Sequence, residues 1–161
     1  MRGRAVRLDL ELAKEGVLLG WYFGARSVSE LVRIANYIQT SVYDRGSLRK
    51  RPDGFEFRLA NPPLRLGAFH RAFLHVDGAP VPGERVRVRV QGAEEFRSLA
   101  SLSPDRPLPL LPGRSAEFRV ESDPPPARGR TLEIRIDLFN VAIPPPVWIQ
   151  FRDRVGRGAA G

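Results

Sequence analysis

The sequence predicts a mainly β protein: an immunoglobulin-like antiparallel β-sandwich with an N-terminal hairpin and one amphipathic helix. Three observations carry that prediction. Apolar and polar side chains alternate with period two in several short runs, most cleanly over Thr131 to Asn140, where Leu132, Ile134, Ile136 and Leu138 share one face. The runs are bounded by proline and glycine, which interrupt strands and form turns. About seven such strands fall in residues 54–155, with the even spacing of a sandwich.

Taken in order, Val6, Leu8, Leu10 and Leu12 alternate with charged residues, and Val17 to Phe23 follows as a more uniformly apolar strand after a turn at Lys14-Glu15-Gly16. Together they predict a hairpin that joins the main sheet or presents Trp21, Tyr22 and Phe23 to a partner chain. Ser27-Val28-Ser29-Glu30 matches a capping box, in which a hydroxyl caps the first turn and a carboxylate three residues on reaches back. Leu31, Ile34, Ala35, Ile38 and Val42 then recur at helical spacing, which predicts an amphipathic helix over 28 to about 42. Its apolar stripe is expected against a sheet or over an open end of the β-domain. Residues 44–54 read as a connecting loop holding the densest basic cluster, Arg45, Arg49, Lys50 and Arg51.

The β-domain begins with Phe55 to Leu59, continues through Ala68 to Val76, and reverses at Asp77-Gly78, a residue pair suited to a tight hairpin turn. Glu84 to Val90 is the next expected strand, with Val86, Val88 and Val90 on one face and Arg85, Arg87 and Arg89 on the other. Those arginines form either a rail for a polyanion or an outward polar face paired with Glu117, Glu133 or Asp137. The aromatic interleaving that nucleic-acid-binding sheets use for stacking is absent from this strand. A proline-rich passage over 91–114 predicts a long connection with a short helical turn near Arg97–Leu102. Ser115 to Glu121, Thr131 to Asn140 and Val147 to Phe151 complete the strands. The domain boundaries expected are 1–53 for a hairpin and helix appendage packed on the main domain, 54–155 for the sandwich, and 156–161 for a flexible tail.

Bulk properties narrow the function classes. A chain of 161 residues is long enough for one self-supporting core. No cysteine is present, so disulfides, thiolate metal sites and a cysteine nucleophile are excluded. The basic start at Met1 to Arg7 is followed by Asp9, Glu11, Lys14 and Glu15, which interrupt any secretory apolar core. No apolar run is long enough to span a bilayer, so a soluble, cytoplasmic protein is expected. Arginine outnumbers lysine, with only Lys14 and Lys50, and the loops are rich in proline. This composition fits a heat-adapted source or GC-rich codons. The net charge of +8 is spread along the chain, residues 1–54 and 55–161 each contributing +4.

The two histidines, His70 and His75, are separated by an odd number and fall on opposite faces of a regular strand, so they do not jointly hold a metal. No serine sits in a nucleophile elbow, Glu94 and Glu95 are adjacent rather than facing across a cleft, and no phosphate-binding loop is present. No catalytic residue, metal or cofactor is expected.

Gly54-Phe55-Glu56-Phe57-Arg58-Leu59, Val76-Asp77-Gly78-Ala79-Pro80-Val81 and Thr131-Leu132-Glu133-Ile134-Arg135-Ile136 give residues 54–155 a pattern that resembles the small β-sandwich subunits of C-glycoside deglycosidases. The resemblance implies a non-catalytic partner that associates with a larger barrel-type catalytic subunit and helps close its active site. It carries no catalytic residue onto this chain. The resulting expectation is an accessory or structural module of a protein complex, or a homo-oligomer, with Trp21, Tyr22, Phe23, Trp148 and Phe151 as interface candidates. The alternatives are a nucleic-acid binder using Arg45, Arg49, Lys50, Arg51, Arg85, Arg87 and Arg89, and a carbohydrate- or anion-binding enzyme.

Overall fold

In the computed structural model, residues 41–60, 68–140 and 147–156 are described. The expected hairpin, most of the expected helix, the triple-proline break at 144–146 and the cluster at Trp21–Phe23 lie outside them. Ser41 and Val42 have helical backbone. The chain then runs through β1 (Arg49–Arg51), β2 (Gly54–Ala60), β3 (Ala68–Val76), β4 (Ala79–Val81), β5 (Val86–Val90), β6 (Arg97–Ser98), β7 (Leu108–Pro109), β8 (Ser115–Glu121), β9 (Thr131–Asn140) and β10 (Val147–Arg154). Short 3-10 turns occupy Gly83–Arg85 and Leu99–Ser101, the second within the region where a helical turn was expected.

These strands form two antiparallel sheets. The first has the order β1-β2-β8-β5-β6; the second has β10-β9-β3-β4, with β7 also pairing β3. The period-two pattern sets the register in each. In β2, β8 and β5, Phe57 lies across from Phe118, and Phe118 from Val88, so their apolar faces coincide. In the second sheet, Leu74, Ile136 and Ile149 fall abreast in the same way. Both inner faces contribute to one buried cluster that includes Phe57, Leu59, Phe69, Phe118, Ile134, Ile136 and Ile149. Phe57 stacks on Phe118 at 5.1 Å and meets Phe151 of the other sheet edge-on at 5.4 Å. Truncating such a buried ring costs about 3–5 kcal/mol, whereas an exposed ion pair contributes about 0–1 kcal/mol. The core therefore holds the fold, and the surface charges decide what the faces can bind.

Three sequence expectations require correction. The stretch 44–54 is not simply a loop: Arg49–Arg51 is the edge strand β1, in register with Gly54–Glu56 of β2. Just before that strand, Val42, Tyr43 and Leu48 are buried in the common core. The Asp77-Gly78 reversal leads into β4, which pairs with β3 for only three residues. Pro82 and the turn at Gly83–Arg85 then carry the chain across to the other sheet, so β3 and β5 are not hairpin partners and Arg85 lies outside the strand. At the far end, Gly156 is not loose tail: its amide donates to the Leu48 carbonyl and its carbonyl accepts from the Lys50 amide.

Gly54 opens β2 at a point where the neighbouring strand comes very close. A β-carbon there would sit 1.9 Å from the Val120 carbonyl oxygen, so no other residue fits without moving β8.

Candidate functional site

The outer face of the first sheet is where most of the predicted basic residues meet. Arg49 of β1 lies across from Glu56 of β2, Glu56 across from Arg119 of β8, and Arg119 across from Arg87 of β5. One row on, Arg58, Glu117 and Arg89 lie abreast. Arg49, Arg51, Arg87 and Arg89 thus share a face, although they come from two separate stretches of sequence. Lys50 alternates to the other side of β1, Arg45 is exposed in the preceding turn, and Arg85 lines a separate shallow hollow with Asp53, Glu121 and Asp123.

Much of this charge is paired. Glu117 accepts from Arg89 at 2.9 Å through one oxygen and from Arg119 at 3.1 Å through the other. Glu56 accepts from Arg51 at 3.2 Å and lies 3.6 Å from Arg119. Burial works against the Arg51 charge, but hydrogen bonds to Glu56 and Asp53 outweigh it and raise the Arg51 pKa. Arg87 is 3.9 Å from Glu121, and Arg58 is 3.2 Å from Asp44. Phe96 packs against two guanidiniums, 4.5 Å from Arg89 and 4.0 Å from Arg119. Of the partners expected for the arginine row, Glu117 is the one used; Glu133 and Asp137 pair with Arg152 and Arg135 on the other sheet.

A groove of about 420 Å³ crosses this face, lined by Arg49, Glu56, Arg58, Arg89, Gln91 and Ser115 among others. Its size is within the usual range for a small-ligand site.

The outer face of the second sheet has a different character. Phe73, Asp137 and Trp148 lie abreast on β3, β9 and β10. Phe73 is 46% exposed and meets the Phe139 ring edge-on at 5.6 Å. Arg71 lies over both rings, 5.6 Å from Phe73 and 5.0 Å from Phe139. Arg135 lies over Trp148 at 5.1 Å while donating to Asp137 at 3.0 Å. No carboxylate among the described residues pairs with Arg71. Sequence reasoning missed this cluster, although a signal was present: Phe73 is a large apolar residue on the outward beat of β3, between Arg71 and His75.

Of the interface candidates, Trp148 is half-buried on this outer face, but Phe151 is turned inward. Val147, Ile149 and Phe151 share the buried parity of β10, and the Phe151 ring stacks on Tyr43 at 3.6 Å. The Tyr43 hydroxyl donates to Asp153 at 2.6 Å, and the Gly46 amide donates to the same carboxylate at 2.9 Å.

His70 and His75 both lie on β3. A register shift between Phe69 and Arg71 interrupts the alternation on which their opposite placement rested. His75 Nδ1 is 3.9 Å from Asp137, beyond hydrogen-bond reach, and both histidine Nδ1 atoms are buried without a hydrogen-bond partner among the described residues. Arg97 donates to the backbone carbonyls of Arg106 and Pro107, tying down the proline-rich connection. Burial and the nearby Arg106 charge lower its pKa below arginine's ordinary value. No group of three or more potential metal ligands occurs among the described residues, and no described helix is long and apolar enough to cross a membrane.

Comparison with known proteins leaves the surfaces to be read on their own chemistry: no family model matches the chain, and no curated protein matches it.

Proposed function

We propose that the protein is a non-catalytic, immunoglobulin-like β-sandwich module that acts as an accessory or structural subunit of a protein complex. The observation that carries the reading is the outer face of the second sheet, where Phe73, Phe139 and Trp148 are interleaved with Arg71 and Arg135. Aromatic residues and arginine are the types enriched where protein partners bind most strongly, because they combine large apolar area with directed polar contacts. Arg135 and Arg152 are neutralised within the face by Asp137 and Glu133, whereas Arg71 makes no ion pair among the described residues and is available to a partner carboxylate.

Strand order supports the immunoglobulin-like assignment. The sequence β1-β2-β8-β5 in one sheet and β10-β9-β3-β4 in the other has the neighbour relations A-B-E-D and G-F-C-C′ of that architecture. The resemblance of residues 54–155 to the small subunits of C-glycoside deglycosidases suggests one kind of partner, a larger catalytic subunit. The nucleic-acid reading is the weaker one, since Arg87 and Arg89 face Glu121 and Glu117 instead of standing free as a phosphate rail.

Native mass spectrometry of the purified protein tests the proposal. The expected result is a complex, with a second chain or a second copy, that Phe73→Asp dissociates while the far-ultraviolet circular dichroism stays unchanged. A strictly monomeric wild-type protein with no co-purifying chain overturns it.

A further inference from the structure

The groove on the first sheet has an imbalance between donors and acceptors that points to a ligand. Its two carboxylates are already occupied: Glu56 by Arg51 and Arg119, and Glu117 by Arg89 and Arg119. Its donors are not. Arg49 makes no ion pair among the described residues. Arg58 lies 3.2 Å from Asp44 through Nε, and its side chain is 52% exposed, so the guanidinium is open to a ligand. Arg89 uses one terminal nitrogen on Glu117 and keeps the other. Gln91 accepts from the Ser115 amide and hydroxyl through its side-chain oxygen, so its amide nitrogen remains a donor.

Register brings these donors together. Arg49 pairs with Glu56, two residues before Arg58 on the same strand face, so the two arginines are diagonal neighbours at roughly 7–8 Å. Arg58 and Arg89 flank Glu117 on adjacent strands, each roughly 5 Å away in the hydrogen-bonding direction. A ligand that satisfies this lining has to bring acceptors and negative charge. Guanidinium forks meet the oxygens of a carboxylate or phosphate in pairs, and such bonds are shorter and stronger than neutral ones. The small volume excludes a long polymer running through the groove, and the saturated glutamates repel a dense polyanion.

We infer that this groove is a binding site for a small organic oxyanion, a molecule carrying one carboxylate or phosphate group held by Arg49, Arg58 and the Gln91 amide. The inference is independent of the protein interface proposed above, because the two sites lie on opposite sheets and share no residue.

A titration followed by amide nuclear magnetic resonance at low salt tests it, using full-length protein with inorganic phosphate, glucuronate and glucose. The expected result is that phosphate, glucuronate or both shift the Gln91, Gly92 and Ser115 amides with saturation, while glucose does not. Which anion saturates first separates the phosphate from the carboxylate source. Arg49→Ala is expected to weaken binding tenfold or more, and Arg152→Ala, which removes the same charge from the other sheet, to leave it unchanged. Arg49 sits exposed on β1 and makes no ion pair among the described residues, so its replacement leaves the fold intact. The inference is overturned if neither anion shifts those amides, if glucose shifts them equally, or if Arg152→Ala weakens binding as much as Arg49→Ala.

Discussion

Tyr43 and Asp153 are 110 residues apart in sequence, yet they make one of the shortest contacts between the start of the described chain and its last strand. Burial first, and then the hydrogen bond to Asp153, raise the Tyr43 pKa, so the hydroxyl stays protonated and remains a donor. For Asp153, burial pushes the pKa upward, but the Tyr43 hydroxyl, the Gly46 and Arg154 amides and the Arg45 charge outweigh it and bring it below the ordinary carboxylate value. A carboxylate whose folded pKa is depressed contributes stability that is present above its unfolded pKa and lost as pH falls through the folded value. Tyr43→Phe is therefore expected to lower stability by about 1 kcal/mol at neutral pH, and the difference from wild type should shrink below about pH 4. Urea unfolding across a pH series measures both. A constant difference at all pH values would show that the loss comes from the hydroxyl's other neighbours, Ser47 and the Leu48 backbone, and not from the bond to the carboxylate. Parity along β10 made it legible that Val147, Ile149 and Phe151 share a face and Trp148 does not. That this face is the inner one depends on Tyr43, which no local pattern connects to it.

Among the elements, the hairpin between β3 and β4 shows how far local chemistry reaches. Asp77 and Gly78 take φ of 50° and 82°, the left-handed pair that a two-residue reversal requires. Aspartate tolerates that region and adds bonds of its own: its carboxylate accepts from the Glu133 amide at 2.9 Å and from Arg130 at 3.2 Å. Asp77→Ala loses both the tolerance and the bonds, and is expected to destabilise by about 1–2 kcal/mol. Asp77→Asn keeps the backbone preference and one acceptor, and less than half of that loss is expected in thermal or urea unfolding. Equal losses for the two variants would place the whole effect on the negative charge. The sequence announced this turn through Asp-Gly, but not the brevity of β4. The valine alternation reads smoothly back through Glu84, whereas Pro82 and contacts between the Gly83–Arg85 turn and Ser98 bend the chain away to the other sheet. In the same way, the irregularity at His70 undoes a parity argument that a regular strand would have supported.

For the molecule as a whole, residues buried from both sheets form one core, and that core reaches back to Val42 and Leu48. A chain beginning at residue 54 lacks the β1 ladder, the Tyr43–Phe151 stack and the Leu48 side chain. It is expected not to fold, as judged by circular dichroism and the absence of a cooperative urea transition. A truncated chain that melts cooperatively would show that residues 42–53 are dispensable. Two-layer architecture was legible because inward valine, leucine, isoleucine and phenylalanine recur at every second position in β2, β5, β9 and the first half of β10. The sorting of charge was not. A tally along the chain gives equal basic excess before and after residue 54, whereas register gathers Arg49, Arg58, Arg89 and Arg119 from four strands onto one face. The exposed aromatic cluster was hidden for the same reason, since Phe73, Phe139 and Trp148 become neighbours only once β3, β9 and β10 are aligned.

The joining of Gly156 to Leu48 and Lys50 has a mechanical meaning. Arg49 and Gly156 run side by side in the same direction, and the Leu48 and Lys50 bonds lie at 2.9 and 3.3 Å. Tension applied between the two ends of the described chain loads those bonds lengthwise and together with the Tyr43–Asp153 clasp, as a shear joint and not as a zipper opened one tooth at a time. Drawn taut along that axis, the fold yields only when the whole clasp slips.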